Sequence, residues 1–379
     1  MNILLDAIPL GNLVTGISRY VRNLYLQLEK LPDATVYYYN GKRCTKEMPE
    51  QINPGPWMKK TSIAWKLPDP MVFGYRTATW LAYEYRVKRL LNHSGFHVYH
   101  ETAFTPSAIK GTPQVFTIHD LSLMKYREMH PRERVWFSDL FFNRRIHYAT
   151  HIITVSDFIR SEICKEFPID PDQVTTIWEA PDPAFFPREK EKIDEVIKKL
   201  KLPREYLLFV GTLEPRKNLP LVIKALAKRK DNIPIVFVGW KGWGDDLWWQ
   251  KAKEAGIADR IFTTGYVDEE SLACLYSGAL ALVFPSFYEG FGLPLLEAMA
   301  CGCPVICSNV ASLPEVAGDA AMFIDPHDDE DLAEAIHTMV FDSQVREDLK
   351  QKGLKRAAEF SWERAAKETL AVFKKVAEY

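Results

Sequence analysis

The chain has 379 residues, 47% of them hydrophobic and 26% charged, with a formal net charge of −2. That length exceeds one ordinary core and implies two domains of roughly 150–200 residues each. The near-neutral balance excludes whole-chain attraction to nucleic acid, and no apolar run reaches the roughly 18 residues that span a bilayer.

In chain order, Met1-Asn2-Ile3-Leu4-Leu5-Asp6 has no basic segment and carries an early acid, which argues against a secretion signal and for a cytoplasmic protein. Asn2–Ile8 reads as an apolar strand. Gly16–Leu31 reads as a helix, with Ile17, Tyr20, Val21, Leu24, Leu28 and Leu31 at helical spacing. Further strands are expected at Thr35–Tyr39, His97–His100, Gln114–Ile118, His151–Val155 and Gln173–Ile177. After Pro181-Asp182-Pro183 the composition shifts, and the charged stretch 186–203 reads as a linker. Strands then follow at Tyr206–Val210, Pro234–Val238, Ile261–Thr264, Ala279–Phe284, Val305–Ser308 and Ala321–Ile324, with helical patterns between them. The last helix, Trp362–Ala377, has no strand after it and is expected to pack back toward the first half. Apolar strands alternating with helices predict an α/β protein of parallel sheets covered on both faces. The expected architecture is two doubly wound domains facing across a cleft: residues 1–185, a linker at 186–203, residues 204–360, and the helix within 361–379. Ligands are expected at the carboxyl ends of the strands. The six cysteines include no CxxC pair and read as reduced, mostly buried thiols.

The chemistry falls on strand ends. Glu289-Gly290-Phe291-Gly292-Leu293-Pro294-Leu295-Leu296-Glu297 places one carboxylate on a loop and a second on the helix that the proline starts. The glycines free the backbone, so that amides approach a ligand and the helix start favours an anion. Strand Tyr206–Val210 runs into Gly211-Thr212-Leu213-Glu214-Pro215-Arg216-Lys217-Asn218. Arg216 offers a bidentate fork and Lys217 a point charge, a pairing that suits a diphosphate. A cation is unfavourable at a helix start, and a bound anion explains its presence. His119-Asp120 ends strand Gln114–Ile118. The histidine either meets a sugar hydroxyl in the cleft or is a hydrogen-bonded structural residue. Gly16-Ile17-Ser18-Arg19 offers amides to a phosphate, although it is not the GxGxxG fingerprint.

Together these residues resemble the retaining nucleotide-sugar glycosyltransferases of the GT-B fold, family GT4. The resemblance spans the whole chain and is strongest from about Tyr206 to Asp342. It implies two Rossmann-like domains, with the donor on the second and the acceptor on the first. It further implies that Glu297 binds the ribose and that Arg216 and Lys217 bind the diphosphate. Glu289, Gly290 and the amides of Phe291, Gly292 and Leu293 would hold the donor sugar beside His119. Gly211 would lie against the nucleotide, and Tyr266-Val267 would contact the base. Many relatives carry Gly-Gly in the first loop where this chain has Gly16-Ile17, which weakens phosphate contact there. The Gly-Ile-Ser-Arg-Tyr version is similar to bacterial mannosyltransferases, which favours GDP-mannose as donor and a surface glycan such as lipopolysaccharide as product.

The mechanism follows from charge. Breaking the anomeric bond leaves negative charge on the departing diphosphate, which Arg216 and Lys217 stabilise. No cofactor or catalytic metal is expected: Asp170-Pro171-Asp172 reads as a turn and Asp329-Glu330-Asp331 as a helix start. Retention comes from the resemblance, and front-face attack by the acceptor fits the lack of a candidate nucleophile. Residues 57–93 interleave Trp57, Trp65, Phe73, Tyr75, Trp80, Tyr83 and Tyr85 with Lys59, Lys60, Lys66, Arg76, Arg86, Lys88 and Arg89 against only Asp69 and Glu84. Such a mixture suits peripheral contact with the anionic inner face of a membrane and a lipid-linked glycan acceptor. The other reading of the stretch is core aromatics with solvated bases outside. A soluble acceptor (glycogen-synthase-like or sucrose-type) and a non-catalytic nucleotide-sugar-binding module are the alternative functions. Nucleic acid is not an expected partner.

Overall fold

The computed structural model describes residues 1–11, 16–50, 67–103, 105–244 and 247–378. They form two units, Met1–Glu179 with Ser361–Tyr379, and Ala180–Phe360.

The first unit is built on β1 (Asn2–Asp6), β2 (Thr35–Tyr39), β3 (Cys44–Thr45), β4 (Val98–Glu101), β5 (Gln114–Ile118), β6 (His151–Thr154) and β7 (Val174–Thr176). Their order in the sheet is β3-β2-β1-β4-β5-β6-β7. All neighbours are parallel except β2 and β3. Every residue of β4, β5 and β6 is buried, including the polar His100, Glu101, Gln114 and His151. Strand order reverses at β1, between β2 and β4, the position where doubly wound sheets open a crevice at the carboxyl ends. Helix Gly16–Leu28 turns Tyr20, Val21, Leu24 and Leu28 onto the sheet. The last helix, Trp362–Ala377, packs against it inside this unit and buries Trp362, Leu370 and Phe373.

The second unit is a six-stranded parallel sheet in the order β10-β9-β8-β11-β12-β13. Its strands are β8 (Leu207–Val210), β9 (Ile235–Val238), β10 (Ile261–Gly265), β11 (Ala281–Phe284), β12 (Val305–Ser308) and β13 (Met322–Ile324). The order reverses between β8 and β11, so the loops after these two strands are neighbours. Leu207, Phe209, Ile235, Phe237 and Val283 form its core with Val222, Leu226 and Ile336 from the covering helices.

Two expectations need correction. Residues 186–203 are not a free linker. Lys190–Leu200 is a helix of the second unit, packed on Glu269–Gly278. Ile193, Val196, Ile197 and Leu200 recur on one face, and Gly278 makes room for them: a Cβ there would come within 2.7 Å of Ile193 Cγ2. The charged residues that suggested a linker cover the outer face. The division between units falls at Glu179–Ala180, ahead of the expected 185.

Within the aromatic and basic stretch, Trp57, Lys59, Lys60, Trp65 and Lys66 lie outside the described residues. Beyond them, Asp69–Asn92 is one helix with a buried face and an exposed face. Tyr83 is buried in a small core with Tyr39, Val87, Leu91 and Tyr99. Phe73 and Trp80 lie on Trp136 and Phe141 of helix Arg132–Arg145. Met71, Tyr75 and Tyr85 are exposed at 60%, 74% and 68%. Glu84, the helix's acid beyond its first turn, is buried and paired with Lys88 and Arg145. Among the described residues no helix is long and apolar enough to cross a membrane.

Candidate active site

The loops after β8 and β11 build the site. At the end of β8, Gly211 N–H donates to Val238 O at 2.9 Å. A Cβ on Gly239, at φ +139°, would stand 2.1 Å from Gly211 O, so two backbones meet here with no room for a side chain. Gly239, in the loop after β9, is what lets the two backbones come this close. The chain then turns through Pro215–Lys217, and Asn218 takes a left-handed conformation at φ +57° before helix Leu219–Ala227. Asn218 Nδ2 donates to Pro326 O at 2.7 Å, which holds the turn. Arg216 and Lys217 are thereby fixed and buried.

From the other side, Glu289 sits on the loop between β11 and helix Leu293–Ala300, with Gly292 at φ +119° starting the helix and Pro294 in its first turn. Ser312 Oγ lies 2.9 Å from the carbonyl oxygens of both Glu289 and Phe291. Phe287 N–H donates to Arg216 O at 3.0 Å and joins the two loops.

The charges interlock. Lys217 Nζ donates to Glu289 Oε1 at 2.5 Å, and Arg216 Nη1 lies 3.0 Å from Glu289 Oε2. Arg216 also donates from Nη2 to Glu214 Oε1 at 2.7 Å and from Nη1 to Tyr288 O at 2.5 Å. Burial pushes the Glu289 carboxyl up, but the charges of Arg216 and Lys217, with the Lys217 hydrogen bond, outweigh it and hold the group at about 2. Two carboxylates thus balance two cations in a poorly hydrated spot. One wall is apolar: Lys217 Nζ lies 4.8 Å from the Phe284 ring centre. Cations fixed in this way are able to receive negative charge from a ligand.

Glu297 is 1% exposed and accepts a hydrogen bond from Tyr276 Oη at 3.0 Å. Tyr266 follows β10 and stacks on Trp240 with ring centres 5.0 Å apart and planes within 12°. Val267 behind it is buried. Trp240 is held by its backbone, whose carbonyl accepts from Leu213 N–H at 2.8 Å.

In the first unit, His119 directly follows β5. Its Nδ1 lies 3.1 Å from Glu179 Oε1, and its ring meets the edge of Tyr20 at 4.8 Å. Asp120 accepts from Ser122 N–H at 2.8 Å and fixes the turn. Gly16 is the exposed first residue of its helix, with nothing within 4 Å of a Cβ placed there. The two acidic triplets have structural partners. Asp170 caps the turn Pro171–Gln173, and Asp329, in the first turn of helix Asp329–Phe341, pairs with Lys228 at 2.6 Å.

The structure thus brings Arg216, Lys217 and Glu289 into one network and sets Gly290, Phe291, Gly292, Leu293 and Glu297 directly after it. Sequence reasoning missed Glu214, Tyr276, Ser312, Trp240 and Glu179. Glu214 stands two residues before Arg216 and was open to notice. The others come from distant segments: Glu179 is 60 residues from His119 and Ser312 is 23 from Glu289.

A family model described as glycosyl transferases group 1 matches residues 190–356, and one described as glycosyltransferase family 4 matches residues 14–185. O-antigen chain mannosyltransferase B of Escherichia coli is 39% identical over 265 residues, covering 69% of this chain and 70% of that protein. Sucrose-phosphate synthase from Thermosynechococcus elongatus superposes with a TM-score of 0.76 at 21% identity, over 99% of this chain and 98% of that one. Anabaena HepE in complex with UDP and glucose superposes at 0.74 with 17% identity, over 99% and 100%. The structural likenesses share the two-domain GT-B fold. With both halves matched by family models and this mannosyltransferase similar over most of its length, the chain belongs to glycosyltransferase family 4 and is a glycosyltransferase.

Proposed function

We propose that the chain transfers mannose from GDP-mannose, with retention, to a growing glycan on a lipid carrier in bacterial surface-polysaccharide synthesis. The observation that carries the reading is the buried network of Arg216, Lys217 and Glu289 where the loops after β8 and β11 meet. In this reading the two cations take the donor diphosphate and Glu297 takes the ribose. Glu289 and the amides of Gly290 to Leu293 hold the sugar. Tyr266 and Val267 border the base, Gly211 lines the nucleotide, and Gly16 and His119 come from the acceptor-binding unit. As the glycosidic bond breaks, electrons pass to the diphosphate oxygen, and Arg216 and Lys217 offset that charge without a metal. The acceptor oxygen attacks the anomeric carbon on the face the diphosphate leaves, and its proton passes to the departing oxygen. Similarity to an O-antigen mannosyltransferase supports the sugar and the product class. The exposed Met71, Tyr75 and Tyr85, beside Arg86 and Arg89, support contact with the anionic inner face of a membrane.

A thermal-shift series over GDP, UDP, ADP and dTDP tests the donor base, followed by transfer of labelled sugar from the matching mannose and glucose donors in EDTA. GDP alone at 100 times its dissociation constant should stabilise the chain by about 2.7 kcal/mol. Stabilisation by UDP instead, or loss of transfer in EDTA with recovery on adding Mn²⁺ or Mg²⁺, contradicts the reading.

A further inference from the structure

We propose that Glu179 is a positioning residue for His119: its carboxylate fixes the imidazole so that Nδ1 always carries a proton and Nε2 is the atom left to a sugar ligand. The inference rests on the reading above that His119 meets the donor sugar.

Both residues stand just past the carboxyl ends of parallel strands, His119 after β5 and Glu179 three residues after β7. Glu179 is buried, with Oε1 3.1 Å from His119 Nδ1. An ionised carboxylate only accepts hydrogen bonds, so Nδ1 must donate. Tyr20 meets the ring at 4.8 Å and an interplanar angle of 85° and restricts its rotation. Tyr20 is itself anchored: its hydroxyl lies 3.2 Å from Thr117 Oγ1, which lies 2.8 Å from His100 Nε2. With one nitrogen committed and the ring clamped, the other is left over. Among the described residues, His119 Nε2 is buried and has no hydrogen-bond partner. Buried polar atoms in native proteins nearly always have a partner, so a ligand atom is the natural complement. A neutral histidine held this way offers a lone pair at Nε2, and a protonated one offers an N–H at the same point. In both states the sugar meets the same atom in the same place.

Glu179→Gln keeps the shape but allows the side chain to donate or accept, which frees the tautomer. Long-range ¹⁵N–¹H spectra of the full chain should show His119 protonated at Nδ1, and an added Nε2-protonated population in E179Q. The kcat of E179Q should fall at least about 10-fold with KM for the donor little changed, the size expected for one misplaced hydrogen bond. Combined with His119→Ala, Glu179→Gln should cause no further loss. Glu179→Asp, which accepts only, should keep the Nδ1 tautomer, and it carries the test if the glutamine variant does not fold. Wild-type kcat in E179Q, an unchanged tautomer, or an equal loss with and without His119 overturns the proposal. If H119A is inactive while E179Q is normal, only the positioning role fails. If H119A retains full transfer, the placement of His119 at the sugar fails with it.

Discussion

Glu289 carries a charge that burial alone would remove, and Arg216 and Lys217 keep it there. Its held-down pKa fixes the sign of its pH dependence. The stabilisation is complete above the ordinary carboxylate range and is lost as pH falls from there toward about 2. Glu289→Gln leaves two buried cations around a neutral amide. Breaking one partner out of a buried pair costs about 3–5 kcal/mol. Urea titration at neutral pH should register that loss, and the variant's stability should depend less on pH below about 4. The same change removes the Glu289 charge from Lys217 and Arg216, while Arg216 keeps Glu214. Calorimetry should find nucleoside diphosphate bound at least as tightly as by the wild type, while turnover falls. Weaker diphosphate binding in this variant would mean that Glu289 serves the nucleotide rather than the sugar. Glu297 behaves oppositely. Its carboxylate accepts from Tyr276 Oη, and Glu297→Ala should leave the contacts of Arg216 and Lys217 with Glu289 intact. It should weaken diphosphate binding by roughly 1.5–3 kcal/mol, the worth of a charge-assisted hydrogen bond.

At the scale of elements, helix Asp69–Asn92 divides its work between its faces. Tyr83 and Val87 pack inward, while Met71, Tyr75, Tyr85, Arg86 and Arg89 face out. Replacing Tyr75 and Tyr85 by Ser and Arg89 by Glu should lower binding to vesicles containing anionic lipid, by about 1 kcal/mol for each basic charge lost near the surface. Donor hydrolysis in solution should be unaffected. Equal vesicle binding by wild type and variant would return this face to ordinary solvent exposure. The elements themselves were legible where burial was two-sided: Gln114–Ile118 and Val305–Ser308 are strands over the predicted residues. Two-residue β3 has too little pattern to find, and helix Lys190–Leu200 was hidden by its charged outer face. The loops carrying Arg216, Lys217 and Glu289 were legible because glycine and proline mark them. That the three side chains pair with one another was not, because Lys217 and Glu289 are 72 residues apart and only the order of β8 and β11 in the sheet joins them.

Across the whole molecule, a second buried carboxyl group matters, this one in the first unit. Glu101, at the end of β4, accepts from Ser107 N–H at 2.7 Å, Ser107 Oγ at 2.6 Å and Gln114 Nε2 at 2.6 Å, yet burial still pushes its pKa up to about 8. The folded chain therefore holds a proton that the unfolded chain releases near the ordinary carboxylate value. That contribution is full at low pH and is lost as pH rises through about 8. Stability should drop by roughly 2 kcal/mol between pH 6 and pH 8, and Glu101→Gln should flatten the slope in denaturant titrations. A slope unchanged in E101Q would assign the effect to another group. The central claim is the proposal that Arg216 and Lys217 of the second unit receive the donor diphosphate. It is tested most directly by calorimetric titration of the tightest-binding nucleoside diphosphate into the wild type and into a folded Arg216→Ala, Lys217→Ala double variant. Two charge-assisted interactions of roughly 1.5–3 kcal/mol each predict a loss of affinity of about 100-fold or more. Binding by the double variant at wild-type affinity would contradict the account.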